Sequence, residues 1–80
     1  MVDVIFETNF KKKFQKIKDK LLKEKIIKQI AKIKQHPEIG KPMKYSRKDT
    51  RELYIPPFRL SYLLRDNTIY LLDLYHKDQQ

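Results

Sequence analysis

The stretch FRLSYLLRDNTIYLLDLY, residues 58–75, decides the fold. It contains two runs rich in strand-forming residues, 58–65 and 68–75, separated by Asp66 and Asn67. Aspartate and asparagine tolerate the left-handed backbone conformation that a two-residue hairpin turn requires. The pattern therefore predicts a β-hairpin with its turn at these two residues.

An uninterrupted ladder from that turn determines which side chains share a face, because alternate residues of a strand point to opposite sides of the sheet. It pairs Leu63 with Tyr70, Ser61 with Leu72 and Arg59 with Leu74. One predicted face is apolar and suits helix packing; it consists of Leu60, Tyr62, Leu64, Ile69 and Leu71. The opposite predicted face carries Arg59, Ser61, Leu63, Tyr70, Leu72, Leu74 and His76.

Arg59 and His76 are predicted diagonal neighbours on this second face, with Cβ atoms roughly 7 Å apart. An arginine stabilises negative charge on a phosphoryl group, and a histidine with a pKa of about 6.5 moves a proton at neutral pH. RNA carries its own nucleophile, the 2′-OH, so the pair predicts RNA cleavage that needs no metal. A one-residue bulge would instead send the two side chains to opposite faces.

Upstream of the hairpin, residues 2–6 are a short run of β-branched and aromatic residues interrupted only by Asp3, and they predict an opening strand. Thr8 or Asn9 is the predicted cap of the helix that follows. Apolar residues then recur at helical spacing in two successive sets whose phases differ. This difference favours two helices, with a break near Lys18-Asp19 and Asp19 as the second cap, over one long helix from Asn9 to Gln35.

The helical region is predicted to end at His36, because a residue before proline is pushed out of the helical conformation. Residues 37–42 contain the only glycine and predict a loop, and residues 52–55 predict a short strand that Pro56-Pro57 ends. The predicted order is therefore β-α-α-β-β-β. This is an α+β fold, a mostly antiparallel sheet with a helical hairpin packed on one face.

Charge is the strongest compositional feature, since 19 lysines and arginines stand against 10 acidic residues. The net charge of +9 predicts a polyanionic partner, with RNA as the first candidate. Eleven lysines lie between Lys11 and Lys34, where a solvated helix face is an equally good interpretation. All four arginines lie in the second half of the chain.

Length and residue content narrow the class of protein. Eighty residues predict a single domain, 1–80. The absence of cysteine excludes disulfides and cysteine-based zinc sites. No apolar run approaches the roughly 20 residues that span a bilayer, and residues 1–7 lack the pattern of a signal peptide. We therefore expect a cytoplasmic protein with no membrane association, no metal and no cofactor.

Several short motifs follow one another along the chain: Pro42-Met43-Lys44, Arg51-Glu52-Leu53, Phe58-Arg59-Leu60-Ser61-Tyr62, Asp66-Asn67 and Leu74-Tyr75-His76-Lys77. Their order and spacing resemble the RelE/ParE superfamily of toxins from type II toxin–antitoxin systems. The resemblance covers nearly the whole chain. It implies the same β-α-α-β-β-β fold and, in the RelE-like branch, ribosome-dependent cleavage of mRNA without a metal.

By this resemblance Arg59 is a phosphate-binding catalytic residue and His76 takes part in the proton transfers. Arg51, at the start of its strand, is expected to reach the same phosphates. Contacts with rRNA or mRNA are implied for a basic set outside these strands: Lys41, Lys44, Arg47, Lys48 and Lys77.

The chain also departs from the family pattern. Glu52 and Tyr54 stand where RelE proteins carry a pair of lysines. Lys41 stands where the YoeB-like branch has an acidic base, and Lys77 replaces a terminal tyrosine or arginine. Tyr54 and Tyr75 are the auxiliary residues that could substitute in part.

The function that this resemblance implies is a toxin that inhibits translation as a ribosome-dependent mRNA endoribonuclease. Two alternatives stay open: a ParE-like toxin that binds DNA gyrase without chemistry, and a degenerate toxin that acts only as a basic nucleic-acid-binding domain. The implied partners are the ribosome, mRNA and an acidic, RelB-like antitoxin. An acidic partner suits the marginal core and the charge of +9.

Overall fold

The computed structural model describes residues 2–43 and 49–76. Within these residues five strands form one sheet and two α-helices pack on one of its faces. The strands are Asp3–Phe6 (β1), Lys41–Pro42 (β2), Thr50–Ile55 (β3), Phe58–Arg65 (β4) and Thr68–His76 (β5). The helices are Thr8–Lys16 (α1) and Lys20–Gln35 (α2), with a 3-10 helix at Pro37–Ile39.

This arrangement confirms the predicted α+β class and the helical hairpin on one face of the sheet. The strand order is β1-β5-β4-β3-β2. β1 runs parallel to β5, and the remaining neighbours are antiparallel. The prediction of a plain loop at residues 37–42 is wrong, because this segment contains both the 3-10 helix and β2.

The break between the helices lies where Asp19 was expected to cap α2. The Asp19 carboxylate accepts hydrogen bonds from the backbone N–H groups of Leu21 and Leu22, at 3.0 and 3.2 Å. Two helices are therefore confirmed over one, and α2 ends at Gln35, before His36 as predicted. In the described part of the chain, neither helix has the length and apolar character needed to cross a membrane.

The predicted cap of α1 is wrong. The helix already includes Thr8 and Asn9, and Glu7 occupies the N-cap position without a side-chain hydrogen bond. The backbone N–H of Glu7 still donates to the carbonyl of Leu71, at 3.0 Å. The chain thus passes directly from the β1–β5 ladder into α1, and the residue at the N-cap position is the last one bonded to that ladder.

The β4–β5 hairpin turns at Asp66 and Asn67 as predicted, and both have positive φ, 51° and 60°. Its apolar face forms the core together with inward side chains of the helices. The fully buried members of this core are Tyr62, Ile26, Ile33, Leu60, Ile69, Leu71 and Leu74. Burial of one such aliphatic side chain contributes about 1.5–3 kcal/mol, so the hairpin and the helices stabilise one another.

The register of the hairpin differs from the prediction beyond its midpoint. Tyr62 pairs with Leu71, but Ser61 pairs with Asp73, so Leu72 is an extra residue in β5. Leu71 and Leu74 are both fully buried. Residues three apart in a regular strand point to opposite faces, and the bulge is what lets both enter the core.

Because of this bulge, the predicted pairs Ser61–Leu72 and Arg59–Leu74 are wrong, whereas Leu63 does pair with Tyr70. Arg59 instead faces Tyr75. Because of this one extra residue, Tyr75 replaces Leu74 as the neighbour of Arg59 on its face of the sheet.

Candidate functional site

The sheet face opposite the helices carries a polar cluster around Arg59. Arg59 on β4 pairs with Tyr54 on β3 and with Tyr75 on β5, so these three side chains form one row across the sheet. Glu52 lies two residues before Tyr54 and shares its face. We call Glu52, Tyr54, Arg59 and Tyr75 the Arg59 cluster.

Glu52 is the centre of the cluster. One of its carboxylate oxygens accepts a hydrogen bond from Nη1 of Arg59, and the other accepts one from the hydroxyl of Tyr75, each at 2.6 Å. The guanidinium carbon of Arg59 lies 5.5 Å from the centre of the Tyr54 ring. The Arg59 and Glu52 side chains are 26% and 16% exposed, so solvent reaches the cluster but does not surround it.

The Arg59 guanidinium is only partly satisfied. Its Nε is buried and has no hydrogen-bond partner among the described residues. A guanidinium can take an oxyanion through its N–H groups. The cluster thus brings together three groups useful for phosphate chemistry: a carboxylate that accepts a proton, a cation, and a phenol that donates one.

His76 does not belong to this cluster. It pairs with Phe58, and the two rings meet edge to face with centres 5.8 Å apart. Since Phe58 and Arg59 are consecutive in a strand, they point to opposite faces. The predicted meeting of Arg59 and His76 is therefore wrong, and the bulge in β5 is the reason.

Arg51 lies on the helix side of β3, opposite Tyr62. Its Nη1 donates to the backbone carbonyls of Gly40, at 2.6 Å, and Glu38, at 3.1 Å. The expectation that Arg51 and Arg59 reach the same phosphates is not met. Arg51 shares a face with its partner Tyr62, and Tyr62 lies three residues from Arg59 on β4, so the two arginines point to opposite faces.

Lys41 is the basic candidate that the structure brings near the cluster. It is exposed on β2 and pairs with Glu52, so both side chains share one face. The other predicted RNA contacts lie outside the described residues: Lys44, Arg47, Lys48 and Lys77.

Comparison with known proteins identifies the family. The model of the family described as "ParE toxin of type II toxin-antitoxin system, parDE" matches residues 4–80. The chain belongs to this toxin family. The resemblance to the RelE/ParE superfamily is thereby confirmed, and the protein is a toxin of a type II toxin–antitoxin system. A comparison with curated proteins gives no significant match.

Solved structures similar to this toxin share its fold. The isolated E. coli RelE toxin superposes with a TM-score of 0.83 at 14% identity, over 100% of this chain and 88% of that one. The intact E. coli RelBE toxin–antitoxin complex gives 0.81 at 15%, over 95% and 96%. The YoeB dimer from Staphylococcus aureus gives 0.80 at 21%, over 94% and 97%. At such identities the likeness establishes the fold alone.

Sequence reasoning missed Glu52, which it treated only as a departure from the family pattern. A signal was present in the sequence. Pro56-Pro57 is a two-residue connection, and a ladder built from it pairs Tyr54 with Arg59. Alternation along β3 then puts Glu52 on the same face of this toxin as Arg59.

Proposed function

We propose that this toxin is a ribosome-dependent mRNA endoribonuclease that inhibits translation, and that Glu52, Arg59 and Tyr75 carry the cleavage. The observation that supports this most directly is the pair of 2.6 Å hydrogen bonds joining these side chains on the sheet face away from the helices. A base, a cation and a proton donor suffice when the substrate supplies its own nucleophile. The charge of +9 favours association with ribosomal RNA and mRNA.

The proposed reaction begins when a phosphodiester oxygen binds Arg59 in place of the Glu52 carboxylate. Glu52 then takes the proton of the adjacent 2′-OH, whose oxygen attacks the phosphorus. Arg59 stabilises the charge that develops on the phosphoryl oxygens. The bond from phosphorus to the 5′ oxygen breaks, and Tyr75 donates its proton to that oxygen. The products are a 2′,3′-cyclic phosphate and a 5′-hydroxyl, and Lys41 binds a neighbouring phosphate.

Single substitutions in the cluster test this proposal on ribosomes programmed with a defined mRNA. Glu52→Gln keeps the shape of the side chain but removes the base, so cleavage should fall by about 10²–10⁴-fold. Arg59→Ala should lower it by about 10²–10³-fold. Tyr75→Phe should lower it by removing the acid, whereas Tyr70→Phe, outside the cluster, should cleave like the wild type. A wild-type protein that leaves the mRNA intact would sink the proposal.

A second candidate function is a toxin that binds DNA gyrase without chemistry of its own. Two observations favour it: the matching family model is that of ParE toxins, and Glu52 already neutralises part of the Arg59 charge. Inhibition of supercoiling and accumulation of cleaved DNA complexes would identify it. On this alternative, Glu52→Gln leaves toxicity in growing cells unchanged, in contrast to the endoribonuclease.

An acidic antitoxin is the proposed protein partner, and the similar E. coli RelBE structure is itself a toxin–antitoxin complex. The helices present a groove of about 300 Å³ whose lining includes Phe6, Phe10, Lys11, Phe14, Ile27 and Ile30. Phe6 and Ile27, 44% and 56% exposed, belong to this one contiguous apolar surface, and such surfaces mark sites of interaction. We call this surface the phenylalanine groove.

The charge around the groove indicates the chemistry of its occupant. Lys11 lines it, and the ammonium of Lys23 lies 5.1 Å from the centre of the Phe14 ring. An amphipathic helix with an apolar stripe and acidic flanks would cover the rings and pair with the lysines. A small acidic protein encoded beside this chain should therefore co-purify with it. Purification of the toxin alone from its native host would contradict this.

A further inference from the structure

Gly40 lies at a crowded junction on the helix side of the sheet. Its backbone N–H donates to the hydroxyl of Tyr62 at 2.9 Å, and that hydroxyl donates to the carbonyl of Pro37 at 2.5 Å. Its carbonyl accepts from Arg51 at 2.6 Å. A Cβ at this position would lie 2.6 Å from the Tyr62 hydroxyl oxygen and 2.9 Å from the backbone oxygen of Glu52. Glycine is required here by space, since its φ of −76° is ordinary.

The junction controls the position of β2. This strand has two residues and lies at the edge of the sheet, so its own ladder with β3 is too short to hold it. Gly40 immediately precedes it, and Met43, immediately after it, donates its backbone N–H to Thr50 at 3.0 Å. Hydrogen bonds therefore hold the strand at both ends, and the one at Gly40 depends on the buried hydroxyl of Tyr62.

The register of β2 has a consequence on the opposite face. Lys41 pairs with Glu52, the carboxylate that joins Arg59 and Tyr75. A slip of one residue would turn Lys41 to the helix side. The Tyr62 side chain is completely buried and cannot touch RNA, yet it determines whether a cation stands beside the Arg59 cluster.

We infer that Tyr62, together with Gly40, is a positioning residue for RNA binding, because it holds β2 in the register that puts Lys41 beside Glu52, the carboxylate that binds Arg59. The inference rests on the proposed function only in that this face binds RNA. It does not require that the RNA be cleaved.

A double-mutant cycle between Tyr62→Phe and Lys41→Ala tests the inference. The readout is the dissociation constant for a single-stranded RNA that is 2′-O-methylated throughout, which removes the nucleophile and prevents cleavage. Lys41→Ala should weaken binding by about three- to fivefold, the size of one exposed ionic contact. Tyr62→Phe should weaken it by a similar factor, and the double variant should bind no more weakly than Lys41→Ala alone.

Ile69→Val serves as the control for a general loss of stability, since it trims a fully buried side chain of β5 and leaves the Gly40 junction intact; its RNA affinity should equal that of the wild type. If Tyr62→Phe does not fold, Arg51→Gln loosens the same junction at the Gly40 carbonyl and should give the same non-additivity with Lys41→Ala. The inference is overturned if the two effects multiply, or if Tyr62→Phe lowers the melting temperature while RNA affinity stays unchanged.

The outcomes separate this inference from the endoribonuclease. Non-additive binding with no cleavage on ribosomes would support the positioning role and sink the enzyme. Additive binding with cleavage retained would do the reverse. A wild-type protein that does not bind the RNA would overturn the positioning role, whereas the endoribonuclease would still be decided by cleavage on ribosomes.

Discussion

Tyr62 shows how a single buried polar group connects stability with the candidate site. Burial raises the pKa of its hydroxyl above the ordinary value of 10.0, because the phenolate would lose its water. The hydrogen bond from Gly40 and the charge of Arg51 act in the opposite direction, and Glu38 adds to the increase. The neutral phenol is therefore the form that the folded protein stabilises.

A pH dependence of stability follows from this raised pKa. The stability that the Tyr62 proton contributes is complete below the unfolded pKa of about 10 and is lost as the pH rises through the folded pKa, since the unfolded chain ionises first. As the pH rises above about 10, the unfolding free energy of the wild type should therefore fall more steeply than that of Tyr62→Phe. Urea titrations of both proteins measure this, and the common lysines cancel. Parallel pH profiles would show instead that folding leaves the pKa of this phenol unchanged.

At the scale of elements, one side chain separates the helices and one inserted residue shifts the hairpin. The Asp19 carboxylate accepts hydrogen bonds from two backbone N–H groups at the start of α2. This cap begins a new helix, whose apolar face need not continue that of α1. Leu72 is accommodated as a bulge in β5, after which every side chain changes face relative to the regular ladder. Both devices are local in extent but set the positions of whole elements.

The cap predicts a measurable loss of stability. Asp19→Ala should lower the free energy of unfolding by about 1 kcal/mol, because the N–H groups of Leu21 and Leu22 lose their acceptor. Asp19→Asn should retain most of the stability, since an asparagine oxygen can accept the same bonds. Chemical denaturation of the three proteins makes the comparison. Equal losses for both variants would mean that the negative charge of Asp19, rather than the cap, is what matters.

At the scale of the whole molecule, the two sides of the sheet serve different expected partners. The open face holds the Arg59 cluster, and the helical layer holds the phenylalanine groove with its lysines. A partner that covers the groove binds the folded chain and not the unfolded one, and it therefore stabilises the fold by mass action. The stabilisation is about 2.7 kcal/mol when the partner concentration is 100 times the dissociation constant. This offsets the small core of an 80-residue domain.

Two substitutions on α2 test the groove in the complex with the co-purifying acidic protein. Ile27→Asp puts a negative charge opposite the acidic partner. It also removes an isoleucine whose burial contributes about 1.5–3 kcal/mol, so the complex should weaken at least about tenfold. Leu21→Asp is the matched control, because Leu21 is also exposed on α2 but lies outside the groove. Calorimetry measures the dissociation constant of each complex. Equal changes for the two variants would mean that the partner binds elsewhere.

Several parts of the structure follow from residues that lie close together in the sequence, without any contribution from tertiary contacts. The hairpin turn follows from the left-handed tolerance of Asp66 and Asn67, the second helix from the cap at Asp19, and the sheet face against the helices from alternating apolar residues. Each depends on interactions within a few positions of the chain. The arginine at the candidate site was found the same way, through its place in the hairpin.

Only the tertiary structure decided what surrounds that arginine. Leu74 is drawn into the core beneath the helices, and the bulge that permits this brings Tyr75 to Arg59 and takes His76 away. Glu52 and Lys41 approach from strands paired on the other side, and the hydrogen bond from Gly40 to Tyr62 helps to hold the strand that carries Lys41. The physical reason is that register is chosen by burial of the whole core, which no short stretch of sequence contains.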